Sequence, residues 1–350
     1  MVSRRVLCWV AAAGAWLPAF AQEPLSAPPT AGDSIRAVEA PAERETVLQL
    51  VEQARNVYDL RSGGQAYDLK VRFTVNSGGL TRYDGAWQME DVFDPQQGLR
   101  WTAGGPGTYA ITRISAHGAL YGEETDSYVP LRLHEARAAL FDPIPAAKGL
   151  KSAAIRRAAV TFNGQRLSCF LFSGGPATSP ARAWNETEEC VDPESGLLRV
   201  HSQVPGRYYA YDYSNAPHLG SHSMPGKVSI YEGGVMVTEI SVESLNGLSA
   251  PDPGLFVASA EMQALGRPIA LGAAEKLLRV SQVKAGAPTG TVCVFGLVTA
   301  SGEMVEAHSL QPSDPNSQAA VEAAQQMSFS RPAAPQQYFV FILRRFVASQ

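Results

Sequence analysis

A histidine pair is the first feature of this sequence with a spacing suited to chemistry. His218 and His222 stand four residues apart, the interval at which a helix presents two imidazoles to one metal ion. Pro217, Gly220 and Pro225 make the segment a loop, however, so the interval loses that meaning. We therefore predict a solvated loop here, with neither a metal site nor a cofactor.

Catalytic signatures are missing from the rest of the chain. The sequence holds no H-E-x-x-H, no G-x-S-x-G and no Walker loop. The acidic run of Glu123, Glu124 and Asp126 is expected to be a solvated loop. We find no nucleophile with a base at a supporting interval, and we predict that the protein is not an enzyme. The competing class is an envelope hydrolase with a site built from loops, which a buried acid or histidine in a cleft would indicate.

Large aromatic residues are the better candidates for a binding site. Phe73, Trp87, Trp101 and Tyr109 fall in segments that read as strands of one sheet, and Trp184 follows later. Aromatic residues on one sheet face usually form core. Few helices are predicted to cover this long sheet, so part of a concave apolar surface could instead receive a lipid or another apolar ligand.

The elements that carry these aromatic residues follow from periodicity. Helical spacing predicts an amphipathic helix over residues 42–60 and a second over 131–141. Strict alternation predicts a half-buried strand over 67–75, and Asn163-Gly164 marks a tight hairpin. Strands so closely spaced, joined mostly by tight turns, indicate one large antiparallel sheet. The further strands are expected at 81–93, 98–102, 108–115, 155–162, 165–172, 186–191, 197–203, 207–213, 227–231 and 235–245.

The N-terminus has the features of a secretory signal. Arg4 and Arg5 precede an apolar run over residues 6–20, and Ala19-Phe20-Ala21 offers a cleavage site before Gln22. The alternative, an uncleaved anchor helix, needs about 20 apolar residues and this run is shorter. We predict a signal peptide at 1–21, a flexible leader at 22–41 and a periplasmic product without a membrane span.

Export places the remaining cysteines in an oxidising compartment. Cys169 and Cys190 lie in segments that read as neighbouring antiparallel strands, so we predict a disulfide between them. Two free buried thiols are the alternative. Cys293 lies in an apolar strand and is expected to be a small core residue.

Composition excludes other classes of protein. Of 350 residues, 45% are apolar and 18% are charged, which is ordinary for a globular chain and unlike a disordered one. The formal net charge is −4, so there is no basic surplus with which to bind nucleic acid.

The C-terminal region resembles a TonB C-terminal domain. After a predicted linker at 260–285, residues 286–350 carry that family's order of a Gly-Thr-Val strand start, a short turn, a second strand, an alanine-rich helix and an alternating last strand. Met327 stands where the family has an aromatic residue. The matching segments are Gly290-Thr291-Val292, Ser301-Gly302, 304–310, 319–324, 329–333 and 340–346.

The resemblance implies a ββαβ unit that captures a partner protein at its last strand, Tyr338 to Val347. Phe341 and Leu343 would lie on that strand, and Arg344 and Arg345 would attract an acidic partner segment. The alternative is that the two arginines only keep an exposed edge soluble.

Residues 42–259 resemble the LolA-like family of periplasmic lipoprotein carriers. An amphipathic helix precedes the sheet, Cys190-Val191-Asp192-Pro193-Glu194-Ser195-Gly196-Leu197 matches the family's strand turn, and Pro251-Asp252 before Phe256 matches its closure. The resemblance implies a half-open barrel whose concave face takes acyl chains. The whole chain is therefore expected to be an α+β protein: a large curved antiparallel sheet with few helices, followed by a small ββαβ domain. Its expected function is to bind an apolar ligand or lipid and an envelope protein.

Overall fold

The computed structural model describes most of the chain. The described residues are 35–76, 83–125, 130–176, 182–183, 186–204, 206–266, 277–279, 291–298, 301–309, 312–329 and 337–344. The predicted signal peptide, the first part of the leader, Trp184, Arg345 and most of the predicted linker lie outside them. No helix among the described residues is both long and apolar enough to cross a membrane.

Helices and strands alternate unevenly along the described residues, with strands in the majority. The helices are α1 Pro41–Tyr58, α2 Leu131–Phe141, α3 Ala147–Leu150, α4 Ala260–Leu265 and α5 Ser317–Gln325. The strands of the first domain are β1 Arg36–Ala37, β2 Tyr67–Val75, β3 Gly85–Asp94, β4 Gly98–Gly104, β5 Ala110–Ala116, β6 Ala119–Glu124, β7 Ala154–Phe162, β8 Gln165–Ser173, β9 Thr187–Val191, β10 Leu198–Val204, β11 Arg207–Asp212, β12 His218–Leu219, β13 His222–Ser223, β14 Lys227–Glu232 and β15 Val235–Gly247. The remaining strands are β16 Leu277–Arg279, β17 Thr291–Val298, β18 Met304–Ser309, β19 Ser328–Phe329 and β20 Gln337–Arg344.

One large antiparallel sheet dominates, as the strand pattern predicted. Its thirteen described strands run in the order β1-β7-β8-β9-β10-β11-β14-β15-β2-β3-β4-β5-β6. The β7–β8 hairpin turns at Asn163 and Gly164, both with positive φ (48° and 78°). That backbone suits the twist of the flanking strands and explains why Asn-Gly marks the turn.

The inner face of this sheet holds the main core. Strand β2 alternates as predicted, and its inner residues, including Leu69, Val71 and Phe73, are fully buried. Helix α1 packs on this face through Val47, Val51 and Ala54. Since the apolar side chains of β2 are buried on this face alone, the alternation fixes the register of that strand.

The C-terminal region forms a separate small sheet. Strands β18, β17 and β20 pair in that order, and α5 packs on them through Ala320, Ala323 and Ala324. Among the described residues β20 is therefore an edge strand, which is the position expected for the last strand. Asn316 immediately precedes α5, and its side chain makes no capping hydrogen bond.

Several local expectations are corrected. Glu123 and Glu124 lie on strand β6 rather than in a loop, because that strand completes the sheet beyond β5. The leader contains strand β1, which pairs with β7. His218 and His222 lie on the short β12–β13 hairpin.

The linker prediction also needs correction at its start. Helix α4 occupies residues placed in that linker, and its Met262 packs with Ile114 beneath β5 and β6. The first domain therefore extends to about residue 265. Leu277–Arg279, also placed in that linker, form strand β16.

Candidate functional site

Three of the four predicted ligand-binding aromatic residues form one packed cluster on the inner face. The ring of Phe73 stacks on Trp87 with centroids 5.6 Å apart, and Tyr109 lies 5.5 Å from Trp87. The Trp87 Nε1 donates to the Tyr83 carbonyl oxygen at 3.1 Å. A Cβ on Gly105 would come within 2.4 Å of the Trp87 ring. This end of the interior is therefore filled, and the three residues serve as core.

Trp101 has a different environment, because helix α2 covers it with polar side chains. Its ring meets the His134 ring edge-to-face at 6.0 Å, and the Arg137 guanidinium lies 5.0 Å from its centre. Burial and the nearby Arg113 and Arg137 charges lower the pKa of His134 to about 4. His134 is consequently a neutral ring at physiological pH.

Helix α2 packs against the sheet through an apolar side made of two leucines and two alanines. Leu133, Ala136, Ala139 and Leu140 are fully buried in the main core. The alanines provide little interlocking surface, and the sequence-predicted helix over 131–141 is confirmed. Ion pairs near the two ends of the helix add polar contacts to this apolar packing.

Asp91 anchors the C-terminal end of α2. It is fully buried on β3, and its Oδ2 accepts a hydrogen bond from Arg137 Nη2 at 2.8 Å. Its Oδ1 accepts from the Tyr67 hydroxyl at 2.9 Å and lies 3.5 Å from Arg61 Nη2. Arg61 and Arg137 both lie over the Phe141 ring, so this anchor joins the end of α2 to the turn after α1.

Glu232 anchors the N-terminal end of α2. Arg132 donates to both of its carboxylate oxygens, at 2.6 and 2.9 Å. Arg207 Nε donates to Glu232 Oε1 at 2.9 Å, and Arg207 Nη2 lies 2.7 Å from Glu135 Oε1. Burial opposes ionisation of Glu232, but Arg132, His308 and Arg207 outweigh it and hold its pKa well below the ordinary value. The cluster has two arginines and two glutamates, so their charges balance.

A second buried pair, Glu189 and His201, lies on the same inner wall. His201 Nδ1 is 2.8 Å from Glu189 Oε1, while Glu189 Oε2 has no hydrogen-bond partner among the described residues. The Tyr209 ring lies 5.3 Å from His201, and its hydroxyl accepts from Arg207 at 2.9 Å. A polar row thus crosses β9, β10 and β11 to the Glu232 anchor. Because these residues lie mid-strand, the row differs from a loop-built hydrolytic site.

The outer face behind this row carries the predicted disulfide. Cys169 and Cys190 are directly paired residues of β8 and β9, and the disulfide between them is confirmed. The Glu188 carboxylate lies beside Cys190, and burial raises its pKa to about 7 despite the Arg182 charge. These three groups are close enough to share a metal ion, but both sulfurs are used in the disulfide.

Cavities along the described residues are small or open to the outside. One of about 40 Å³ lies between the ends of α1 and α2 and is lined by Arg55, Tyr58 and Phe141, among others. A groove of about 600 Å³ crosses the outer side of β2, β3 and β4, with Lys70, Arg72 and Glu90 along it. Trp101 lines neither of these two cavities.

The predicted partner-binding residues Phe341, Leu343 and Arg344 fall on β20, in register with Val294, Val292 and Thr291 of β17. Sequence reasoning missed Asp91, Arg207 and Glu232. Each of them is in phase with inward apolar neighbours, as Asp91 is with Trp87 and Met89. A charged residue at an inward position of an alternating strand is the signal that could have identified them.

The chain matches no protein-family model and no curated protein. Among solved structures it is similar to an outer membrane lipoprotein-sorting protein domain from Vibrio parahaemolyticus. The two share 12% identity and give a TM-score of 0.37 over 61% of this chain and 97% of that one. A DUF1329 family protein from Desulfovibrio piger gives 9% identity and a TM-score of 0.38 over 62% and 98%. The MucA/MucB complex of Pseudomonas aeruginosa gives 13% and 0.29 over 74% and 82%. Similarities at this level supply no ligand, partner or activity for this chain.

Proposed function

We propose that the protein is an exported, periplasmic binding protein that holds an apolar ligand, such as an acyl chain, between the inner face of its large sheet and helix α2. The observation that carries this proposal is the cover over Trp101. A polar helix side lies against a large aromatic ring, and buried ion pairs at Asp91 and Glu232 fasten the helix at its two ends.

When α2 lifts, the surface that it covered comes into contact with water or with a ligand. Water can hydrate the charged groups of the broken ion pairs, whereas the apolar wall around Trp101 and Ala103 would be left exposed to it. An acyl chain on that wall would recover about 0.8 kcal/mol per buried CH₂. The interior at Phe73, Trp87 and Tyr109 is already filled, so we place the ligand at the Trp101 end, with the other three residues as its floor.

Native mass spectrometry of the protein from periplasmic extract tests this directly, since a retained lipid adds its mass. A binding assay with cis-parinaric acid, a fluorescent fatty acid, provides the quantitative form. Trp101→Glu should abolish uptake while the circular dichroism spectrum stays native, because Arg137 lies beside position 101 and can pair with the new carboxylate. Trp87→Glu is the matched variant and should unfold the protein, since its ring is 1% exposed. Uptake by Trp101→Glu at the wild-type level would contradict the proposal.

The C-terminal unit is proposed to bind an envelope protein in the manner of a TonB-like domain. Among the described strands β20 pairs with β17 alone, and its other edge would offer backbone N–H and C=O groups to an extended partner segment. Phe341→Pro removes a backbone N–H donor from this strand. The variant should capture fewer proteins from envelope extract than the wild type does. An unchanged set would remove the support for this second function.

A further inference from the structure

We infer that the C-terminal unit acts as a clamp on helix α2 through His308 and Glu232, so that access to the inner face is coupled to the state of that unit. This inference rests on the proposed function for what passes beneath α2. The contacts themselves stand independently of it.

Glu232 is the point at which three parts of the molecule meet. Arg132 from α2 and Arg207 from the sheet donate to its carboxylate, as described above. His308 belongs to β18 of the C-terminal sheet, and its Nε2 lies 3.2 Å from Glu232 Oε2. Arg132 Nη2 donates to that same oxygen at 2.9 Å. One carboxylate oxygen therefore holds both the helix and the C-terminal unit.

Loss of the His308 contact weakens the anchor for a definite reason. Glu232 is nearly fully buried, so each donor that leaves it raises the cost of keeping the carboxylate charged. The groups facing it are Arg132, Arg207 and Glu135, with the Tyr209 hydroxyl and Gln203 bonded to Arg207. Removal of His308 takes one donor from Glu232 Oε2 and breaks the link between β18 and the carboxylate that holds the start of α2.

The partner-binding edge is connected to this point by two strand pairings. His308 on β18 is directly opposite Phe295 of β17, and Phe295 is opposite Val340 of β20. The edge is therefore about 10 Å from β18 in the plane of the sheet. A strand added at β20 and a ligand beneath α2 would act on one junction from opposite sides. Thermodynamic linkage requires such coupling to be reciprocal.

Hydrogen exchange of the full mature chain tests the clamp without any ligand. His308→Ala should speed exchange of the α2 amides about tenfold, the effect of losing one hydrogen bond to a charged group. His308→Gln, which retains a donor, should restore most of the protection. His218→Ala is the matched control, because His218 pairs with Ser223 on the β12–β13 hairpin and should leave α2 unchanged.

A second arm adds cis-parinaric acid and measures its release rate. The clamp predicts faster release from His308→Ala and, by reciprocity, faster exchange of β18 when the wild-type protein is loaded. Uptake by the wild type, with α2 exchange and release unchanged in His308→Ala, would overturn the clamp and leave the proposed function standing. Faster α2 exchange in His308→Ala, with no uptake by the wild type, would support the clamp and overturn the apolar ligand.

Discussion

The two halves of the large sheet differ in what covers their outer faces. On β2 and β3 the outer face carries exposed ion pairs, such as Lys70 with Glu90 at 3.5 Å. On β8, β9 and β10 the outer face is packed around the Cys169–Cys190 disulfide, together with Leu167, Val200 and Tyr208. The first half of the sheet is therefore covered on its inner face only, while the second half is covered on both faces.

Buried ion pairs complete the cover of the second half. Arg156 donates to both carboxylate oxygens of Glu186, and Arg182 donates to Glu188 at 2.8 Å and to Ser202 Oγ at 2.7 Å. Since Arg182 and Glu186 come from the connection between β8 and β9, this connection folds back over its own strands. The second half is thus packed on both faces, whereas we propose that the inner face of the first half opens beneath α2.

The largest expected effect is the loss of one buried arginine from the frame. Arg182→Met keeps the apolar stem but leaves Glu188 and two carbonyl groups, those of Glu186 and Ser202, without their donor. Breaking a buried pair in this way costs about 3–5 kcal/mol. Urea unfolding followed by circular dichroism measures the loss. A change below 1 kcal/mol would show that this outer face is not a packed layer.

Removal of the disulfide is expected to rank second. The bond closes a loop of 21 residues, which stabilises by about 3 kcal/mol in the chain-entropy model. The double variant Cys169→Ala and Cys190→Ala should lose that amount in the same urea experiment. Thiol labelling of the unfolded, unreduced mature protein should modify Cys293 alone. Labelling at three positions would contradict the bond.

The free energy of unfolding should depend on pH through His134 of helix α2, which covers the inner face of the first half. The folded-state pKa of His134 is about 4, below its ordinary value of 6.5, so the unfolded chain binds the proton first as pH falls. His134 therefore contributes stability above pH 6.5 that is lost as pH falls from 6.5 through 4, by about 3 kcal/mol. His134→Gln should remove this part of the pH dependence of the unfolding free energy. Identical pH dependence in both proteins would refute the assignment.

The smallest effect is expected on the outer face of the first half. Lys70→Ala removes exposed pairs with Asp68 and Glu90, which contribute about 0–1 kcal/mol. It serves as the surface control for Arg182→Met. A loss as large as that of Arg182→Met would remove the distinction between the halves.

Local sequence patterns determined much of the fold. Alternation placed strand β2 at 67–75, helical spacing placed α2 at 131–141, and Asn163-Gly164 placed the β7–β8 turn, all as the structure has them. The cysteine pairing followed as well, because adjacent strands put Cys169 opposite Cys190. Each of these features depends on residues near one another in the chain or in one hairpin.

The candidate site was decided by tertiary structure. Arg132 and Glu232 are 100 residues apart, and Glu232 and His308 are 76 apart. Their meeting depends on the order of thirteen strands and on the position of α2 across the sheet. The sequence by itself determined which residues face inward, because alternation is a local property of a strand. It could not determine which inward charges become partners, because a buried ion pair forms only where the assembled fold brings distant elements together.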